Sequence, residues 1–147
     1  MELTKHKKVR ITDVAELERA KKNKIYEKGC TLIQISATDG QVAYLEKAEN
    51  VAEKYLVVIP KKNKVIDYYL YLCIYRSFPK FFNRIKTGLN IQAETIKEFE
   101  FNFHEDMKTQ QYLADMLQEL EYNIKKCEQS IENVKTMKKY FTKTMFV

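Results

Sequence analysis

The last third of the chain repeats its apolar residues at alternating steps of four and three: Leu113, Leu117, Leu120, Ile124, Cys127, Ile131 and Val134, with Lys138, Phe141 and Met145 continuing the frame. A mean spacing of 3.5 residues keeps such side chains on one helical seam that faces a neighbouring helix along its whole length. The run from Asp106 to about Phe141 contains neither proline nor glycine. At about 1.5 Å per residue it reaches roughly 50 Å, whereas a domain of about 100 residues has a radius of gyration of only about 13 Å. An amphipathic helix folded back on its own domain shows a wider stripe of period 3.6 and ends within about 20 residues. The length of the heptad run therefore favours coiled-coil association over an intramolecular packing helix.

Ahead of the seam the pattern changes several times. Val9, Ile11, Val14, Ala15, Leu17 and Ala20 predict a short helix over residues 9–20, capped by Thr12 or Asp13, before the polar loop Lys21, Lys22, Asn23, Lys24. Cys30 to Ser36, Gln41 to Leu45 and Tyr55 to Pro60 predict strands, the first two joined across Ala37, Thr38, Asp39 and Gly40, where Asp-Gly is a hairpin signal. After the loop Pro60 to Lys64, the apolar stretch Val65 to Ser77 suits strand or buried helix, and its length favours helix. Phe78 and Pro79 precede a basic, aromatic stretch from Lys80 to Lys86, then the loop Thr87, Gly88, Leu89, Asn90. Ile91 to Phe99 predicts a short helix, and Glu98 to Phe103 alternates strictly, as a half-buried strand does. Asp106 is placed to cap the long helix. The expected fold class is α+β: a small mixed α/β head over residues 1–105, then one long C-terminal helix over 106–147, with no flexible linker between them.

Composition narrows the function. An apolar fraction of 45% in 147 residues is that of a foldable protein. The net charge of +6 is uneven: residues 1–105 hold 19 basic and 14 acidic side chains, and residues 106–147 hold 7 and 6. A basic head favours an anionic partner such as nucleic acid. Cys30, Cys73 and Cys127 are far apart, each on an apolar face, and lack the short spacing of metal ligands, so reduced core thiols are expected. His6 and His104 are isolated and read as satisfied surface or capping residues. No apolar run follows Lys5, His6, Lys7 and Lys8, and none elsewhere has the length of a bilayer span; the sequence predicts a cytoplasmic protein without signal peptide or membrane partner. With three glycines, Gly29, Gly40 and Gly88, it offers no phosphate-cradling loop. No Ser, His, Asp set, no reactive Cys beside a His and no methyl-donor site is visible. The expectation is no metal, no cofactor and no catalysis by this chain alone.

Several pieces in this order resemble one half of a specificity subunit of a type I restriction-modification system. The short N-terminal helix of that family's recognition domain is matched by Arg10, Ile11, Thr12, Asp13, Val14, Ala15 and Glu16, and the segment after it by Ile25 to Ala37. A glycine loop, short helix and apolar strand are matched by Thr87, Gly88, Leu89, Asn90 and Ile91 through Phe103. The start of the long conserved helix resembles Gln110, Gln111, Tyr112 and Leu113, and its lysine-rich end resembles Met137, Lys138, Lys139 and Tyr140 through Phe146. The sequence departs from the family where Phe101, Asn102, Phe103, His104 and Glu105 replace a proline-rich strand end. Full members hold two such halves in one chain.

The resemblance implies a non-catalytic subunit that binds double-stranded DNA and directs a DNA methyltransferase subunit, with a restriction subunit as a further partner, to a split site. A single half recreates the arrangement as a two-fold homodimer whose antiparallel coiled coil carries two identical heads over an interrupted palindrome. The expected interface is Leu113, Leu117, Leu120, Ile124, Cys127, Ile131, Val134 and Phe141. In that register Ile131 meets Cys127, Ile124 meets Val134, Leu117 meets Phe141, and Glu121 faces Lys135. The uncharged edge Met116, Asn123, Ser130 and Met137 suits a docking face for methyltransferase helices equally well.

Phosphates call for cations and loop amides, and base edges for Asn, Gln, Arg or Lys. Four segments supply them: Lys21, Lys22 and Lys24; Thr38 and Gln41; Lys61, Lys62, Asn63 and Lys64; and Arg76, Lys80, Asn83, Arg84, Lys86, Thr87 and Asn90. The last ranks first, because its cations interleave with Phe81 and Phe82 before a glycine loop. For any one of these residues the plain alternative is a solvated basic face over core aromatics. Tyr68, Tyr69, Tyr71 and Tyr75 have the spacing of core residues more than of a base-stacking platform. A coiled-coil adaptor whose basic head binds protein without DNA specificity is the alternative function. A small nuclease or toxin is a weaker third reading, because Asp39 and Asp67 lack the acidic and lysine companions of a metal-dependent nuclease.

Overall fold

The computed structural model describes residues 3–36, 40–85 and 91–146. Two compact units divide the chain, Met1–Ala114 and Asp115–Val147. In the first, strand β1 (Lys7–Arg10), a single turn α1 (Ile11–Val14) and β2 (Ala15–Arg19) lead into β3 (Ile25–Tyr26), β4 (Thr31–Gln34), β5 (Val42–Tyr44), β6 (Glu49–Asn50) and β7 (Tyr55–Pro60). Then follow α2 (Asp67–Ile85), α3 (Ala93–Ile96), β8 (Glu100–Phe103) and α4 (Met107–Met145). The main sheet has the order β2-β7-β4-β5, and β1-β8 and β3-β6 form separate two-stranded ladders, every pairing antiparallel.

The mixed head and the long helix match the expected fold class. The strands read from Cys30 to Ser36, Gln41 to Leu45 and Tyr55 to Pro60 are β4, β5 and β7, and the alternating stretch ends as β8. The turn residues Ala37, Thr38 and Asp39 lie outside the described residues, but β4 and β5 pair as the hairpin reading requires. Residues 9–20 depart from the helix expected there. Only Ile11–Val14 is helical, because Val9 pairs with Phe101 in β8 and Leu17 with Val58 in β7. Long-range ladders override local propensity at β-branched positions. Similarly, only Ala93–Ile96 of Ile91 to Phe99 is helical.

The second departure is α2, which runs on through Pro79 to Ile85. Proline removes the hydrogen bond to the carbonyl four residues back, here Tyr75, and crowds that turn. The helix persists because Pro79 is exposed while Ile74, Phe78, Phe81 and Phe82 anchor the opposite face. Phe99 meets Phe78 edge-to-face and Phe81 at a tilt, with centroids 5.5 and 5.1 Å apart, and Phe103 meets Tyr69 at 5.7 Å. The alternating residues of β8 thus bury one face against α2.

The main sheet is covered on both faces. Ile33, Leu56 and Val58 join α2 and β8 in one core, while Leu32, Val57, Ala20, Tyr26, Cys30, Leu45 and Val51 form a smaller one. The period of two sends neighbours in a strand to opposite cores. Helix α4 starts where Asp106 accepts from the Thr109 N–H at 3.0 Å and the Lys108 N–H at 3.3 Å, the expected cap. Its 39 residues amount to about 58 Å of helix. Thr109, Gln110 and Ala114 are buried within the first unit. In the second unit Leu120, Ile124, Ile131, Val134 and Phe141 are 50%, 57%, 55%, 64% and 50% exposed. Cys30 is buried and Cys73 half-buried, but Cys127 is exposed, so it is not the core thiol expected. No helix among the described residues is long and apolar enough to cross a membrane.

Candidate nucleic-acid interface

Strand polarity decides which loops meet. Both β2 and β4 run antiparallel to β7, one on each side of it. The turn after β2, the chain after β4 and the approach to β7 therefore share one end of the sheet, where Ala20 N–H donates to Tyr55 O at 3.0 Å and Ile35 N–H to Lys54 O at 3.0 Å. Two strand spacings separate the outer segments by about 10 Å.

Two glycines fix the course of α2 along this sheet. A Cβ on Gly29, at the start of β4, would lie 2.4 Å from Asp67 Oδ2, and one on Gly40 would lie 2.6 Å from the Phe82 ring. The helix thus begins at the far end of the sheet and finishes beside the β4–β5 connection. Ile91 N–H donates to Ile35 O at 3.1 Å, which returns the chain to the same place. Three of the four candidate segments, those of Lys21–Lys24, Gln41 and the end of α2, accordingly converge. Lys61 to Lys64 lie at the opposite end, where Lys61 N–H donates to Val14 O at 2.9 Å.

The converging residues differ in how their charge is held. Lys21 and Lys24 reach the two oxygens of Glu18 at 2.8 and 2.7 Å across a turn in which Asn23 has φ 63°. Hydrogen bonds from Lys21 and then Lys24 hold the Glu18 carboxyl below its ordinary range, and the bond to Glu18 raises Lys24. Lys22 is exposed. Arg76, Lys80 and Asn83 are exposed at spacing i, i+4, i+7, which sets them on one face of α2. Arg84 lies 5.9 Å from the centroid of the Phe81 ring. Gln41 is exposed, and its carbonyl accepts from the Gln34 N–H at 2.8 Å. Thr38, Lys86, Thr87 and Asn90 lie outside the described residues.

At the other end Lys61 and Lys64 donate to the carbonyls of Thr12 and Asp13 at 2.7 and 3.3 Å, so both brace α1. Lys62 lies 3.6 Å from Glu27, and Asn63 is exposed. Lys54, not singled out from the sequence, stands at the convergent end with its amine 5.2 Å from the Tyr55 ring. Only the register of β7 reveals it, since in sequence it is a single cation between Glu53 and Tyr55.

The tyrosines form a ladder from core to surface. Centroids of Tyr44 and Tyr68, Tyr68 and Tyr71, and Tyr71 and Tyr75 are 5.2, 5.5 and 5.7 Å apart. Tyr68 and Tyr69 are core residues as expected, Tyr71 is half-buried, and Tyr75 is 58% exposed beside Arg76. Burial, followed by the Asp67 charge, pushes Tyr44 up to about 12, so its hydroxyl keeps its proton. His104 is satisfied, with Nδ1 2.8 Å from the Tyr69 hydroxyl and Nε2 2.9 Å from Leu3 O. Among the described residues, no group of three or more His, Cys, Asp or Glu side chains is placed to hold a metal.

Most of the chain has structural counterparts. The S subunit of a type I restriction-modification system from M. genitalium superposes with a TM-score of 0.70 at 9% identity, covering 93% of this chain and 44% of that one. A chain from work on complex assembly and conformational transition of the type I R-M system gives a TM-score of 0.72 at 12% identity, with 92% and 43% covered. This chain thus spans less than half the length of either. Among curated proteins none matches. A family model described as type I restriction modification DNA specificity domain matches residues 11–136. That match takes in the main sheet, α2, β8 and most of α4, and the chain belongs to the type I restriction-modification DNA specificity domain family.

Proposed function

We propose that this chain recognises a DNA sequence and, paired with a second copy through α4, directs a type I DNA methyltransferase subunit, and a restriction subunit with it, to an interrupted palindrome. Family membership supports DNA recognition. The exposed seam is the observation that carries the pairing: Leu120, Ile124, Ile131, Val134 and Phe141 are each at least 50% exposed. An apolar stripe of that length is a partner surface.

Antiparallel pairing sets Ile131 against Cys127 of the second copy, Ile124 against Val134 and Leu117 against Phe141. Lys135, 3.9 Å from Glu132 in the same chain, then faces Glu121 of the second copy. Exposed pairs of this kind contribute under about 1 kcal/mol, so the apolar layers dominate the energy and the charges bias orientation. In each copy the convergent end of the sheet faces the duplex. Arg76, Lys80, Arg84, Lys22 and Lys54 neutralise phosphates, while Asn83 and Gln41 are the side chains suited to base edges.

A mobility-shift series over salt concentration, with the methyltransferase subunit present, tests the proposal. The affinity should fall steeply as salt rises, the logarithmic slope being about 0.9 per neutralised phosphate. No binding at low salt with the methyltransferase present would refute DNA recognition and favour the protein-binding adaptor.

A further inference from the structure

Gln110 is fully buried in the first turn of α4, where a polar amide is costly unless its groups are bonded. Its Oε1 accepts from the Ile66 N–H at 2.9 Å, and its Nε2 donates to His104 O at 2.7 Å and to Lys64 O at 3.4 Å. One side chain thus ties α4 to the loop that feeds α2 and to the link between β8 and α4. Tyr69 of α2 grips the same link, its hydroxyl accepting from the His104 N–H at 2.9 Å. Ala114, with Leu113 beside it, also packs the start of α4 on the core, but apolar contact has no direction of its own. A fully bonded amide adds direction, because its bonds are satisfied in one register and lost on sliding.

The helix anchored through Gln110 carries the seam, and the helix whose approach Gln110 bonds carries Arg76, Lys80 and Asn83. We propose that Gln110 is a positioning residue that holds the separation of the two half-sites read by a pair of copies. This rests on the bipartite reading above. One base pair added to the unread spacer moves the half-sites by about 3.4 Å and turns them by about 35°, so an anchor that defines one register discriminates between spacer lengths.

The test is a spacer series. Duplexes carry the half-site recovered from randomised DNA as an inverted repeat, with the spacer lengthened one base pair at a time. Binding is measured with the methyltransferase subunit present. The unaltered protein should favour one spacer by about tenfold, equivalent to about 1.4 kcal/mol. Gln110→Met keeps side-chain length and removes all three bonds, while Gln110→Glu keeps the acceptor for Ile66 and loses both donations. Each should reduce the spacer preference to under threefold without changing the bases preferred within a half-site, in protein that still melts cooperatively and pairs in light scattering. A folded, paired variant that keeps the original spacer preference overturns the proposal, as does one that loses base preference in step with spacer preference. If the unaltered protein reads a single half-site, the bipartite reading itself fails; if it holds one spacer and both variants hold it equally, only the role of Gln110 fails.

Discussion

Replacing Ile124 with alanine should loosen self-association while leaving the fold intact. Ile124 is 57% exposed, so the chain itself loses little packing, and alanine is the better helix former by a few tenths of a kcal/mol. In the antiparallel pair the same side chain is covered by Val134 of the second copy. Complete burial of an isoleucine is worth about 1.5–3 kcal/mol; the 57% still exposed therefore corresponds to about 0.9–1.7 kcal/mol per copy. Two-fold symmetry doubles this to about 1.7–3.4 kcal/mol, or roughly 20- to 300-fold in Kd. Sedimentation equilibrium over a dilution series measures the constant. Melting at concentrations where both proteins are dissociated should agree to within about 0.5 kcal/mol. A Kd within threefold of the unaltered protein would remove the seam as the interface. A large loss of stability in the dissociated form would instead mean that Ile124 packs within its own chain.

Three further outcomes follow from particular side chains. The Asp106 carboxyl is held below its ordinary range, first by the Thr109 hydroxyl and then by the Thr109 N–H. Its contribution is therefore complete above the unfolded-state value of about 3.9 and lost as pH falls through the lower folded value; Asp106→Asn should flatten that acid limb in thermal melts, and an unchanged limb would show that the cap does not set it. Gly40 has φ +54° and would place a Cβ 2.6 Å from the Phe82 ring, so Gly40→Ala should cost at least about 1–2 kcal/mol and lower Tm; a melt unchanged within error would contradict this packing. Burial raises the Cys30 thiol and pushes Cys73 up to about 11, whereas Cys127 is exposed. Iodoacetamide should thus label Cys127 first in dissociated chains and slowly in paired ones, and equal rates at all concentrations would argue that nothing covers it.

What the sequence revealed tracks how local each determinant is. The period of α4 and the alternation of β8 are one-dimensional signals, as is the Asp106 cap, and all three are present in the structure. The β1–α1–β2 segment was not legible, because Val9, Ile11, Val14 and Leu17 fit a helical stripe equally well until β8 and β7, some 40–90 residues away, supply ladder partners. The helix expected from Val65 to Ser77 runs on through Pro79 to Ile85, where the aromatic face around Phe78 holds the turn. The candidate site was legible by composition and not by place. Lys61 and Lys64 carry the same charge as Lys22, but their amines brace the carbonyls of α1. Lys54 joins the convergent end solely through the register of β7.

The most direct test of the central claim is to select from randomised duplex DNA with the chain and the methyltransferase subunit, and to count copies on the recovered site by light scattering. Two copies, each of 17.5 kDa, on an inverted repeat with an unread centre is the predicted result. One copy on a single ungapped site, or no sequence enriched, would contradict it.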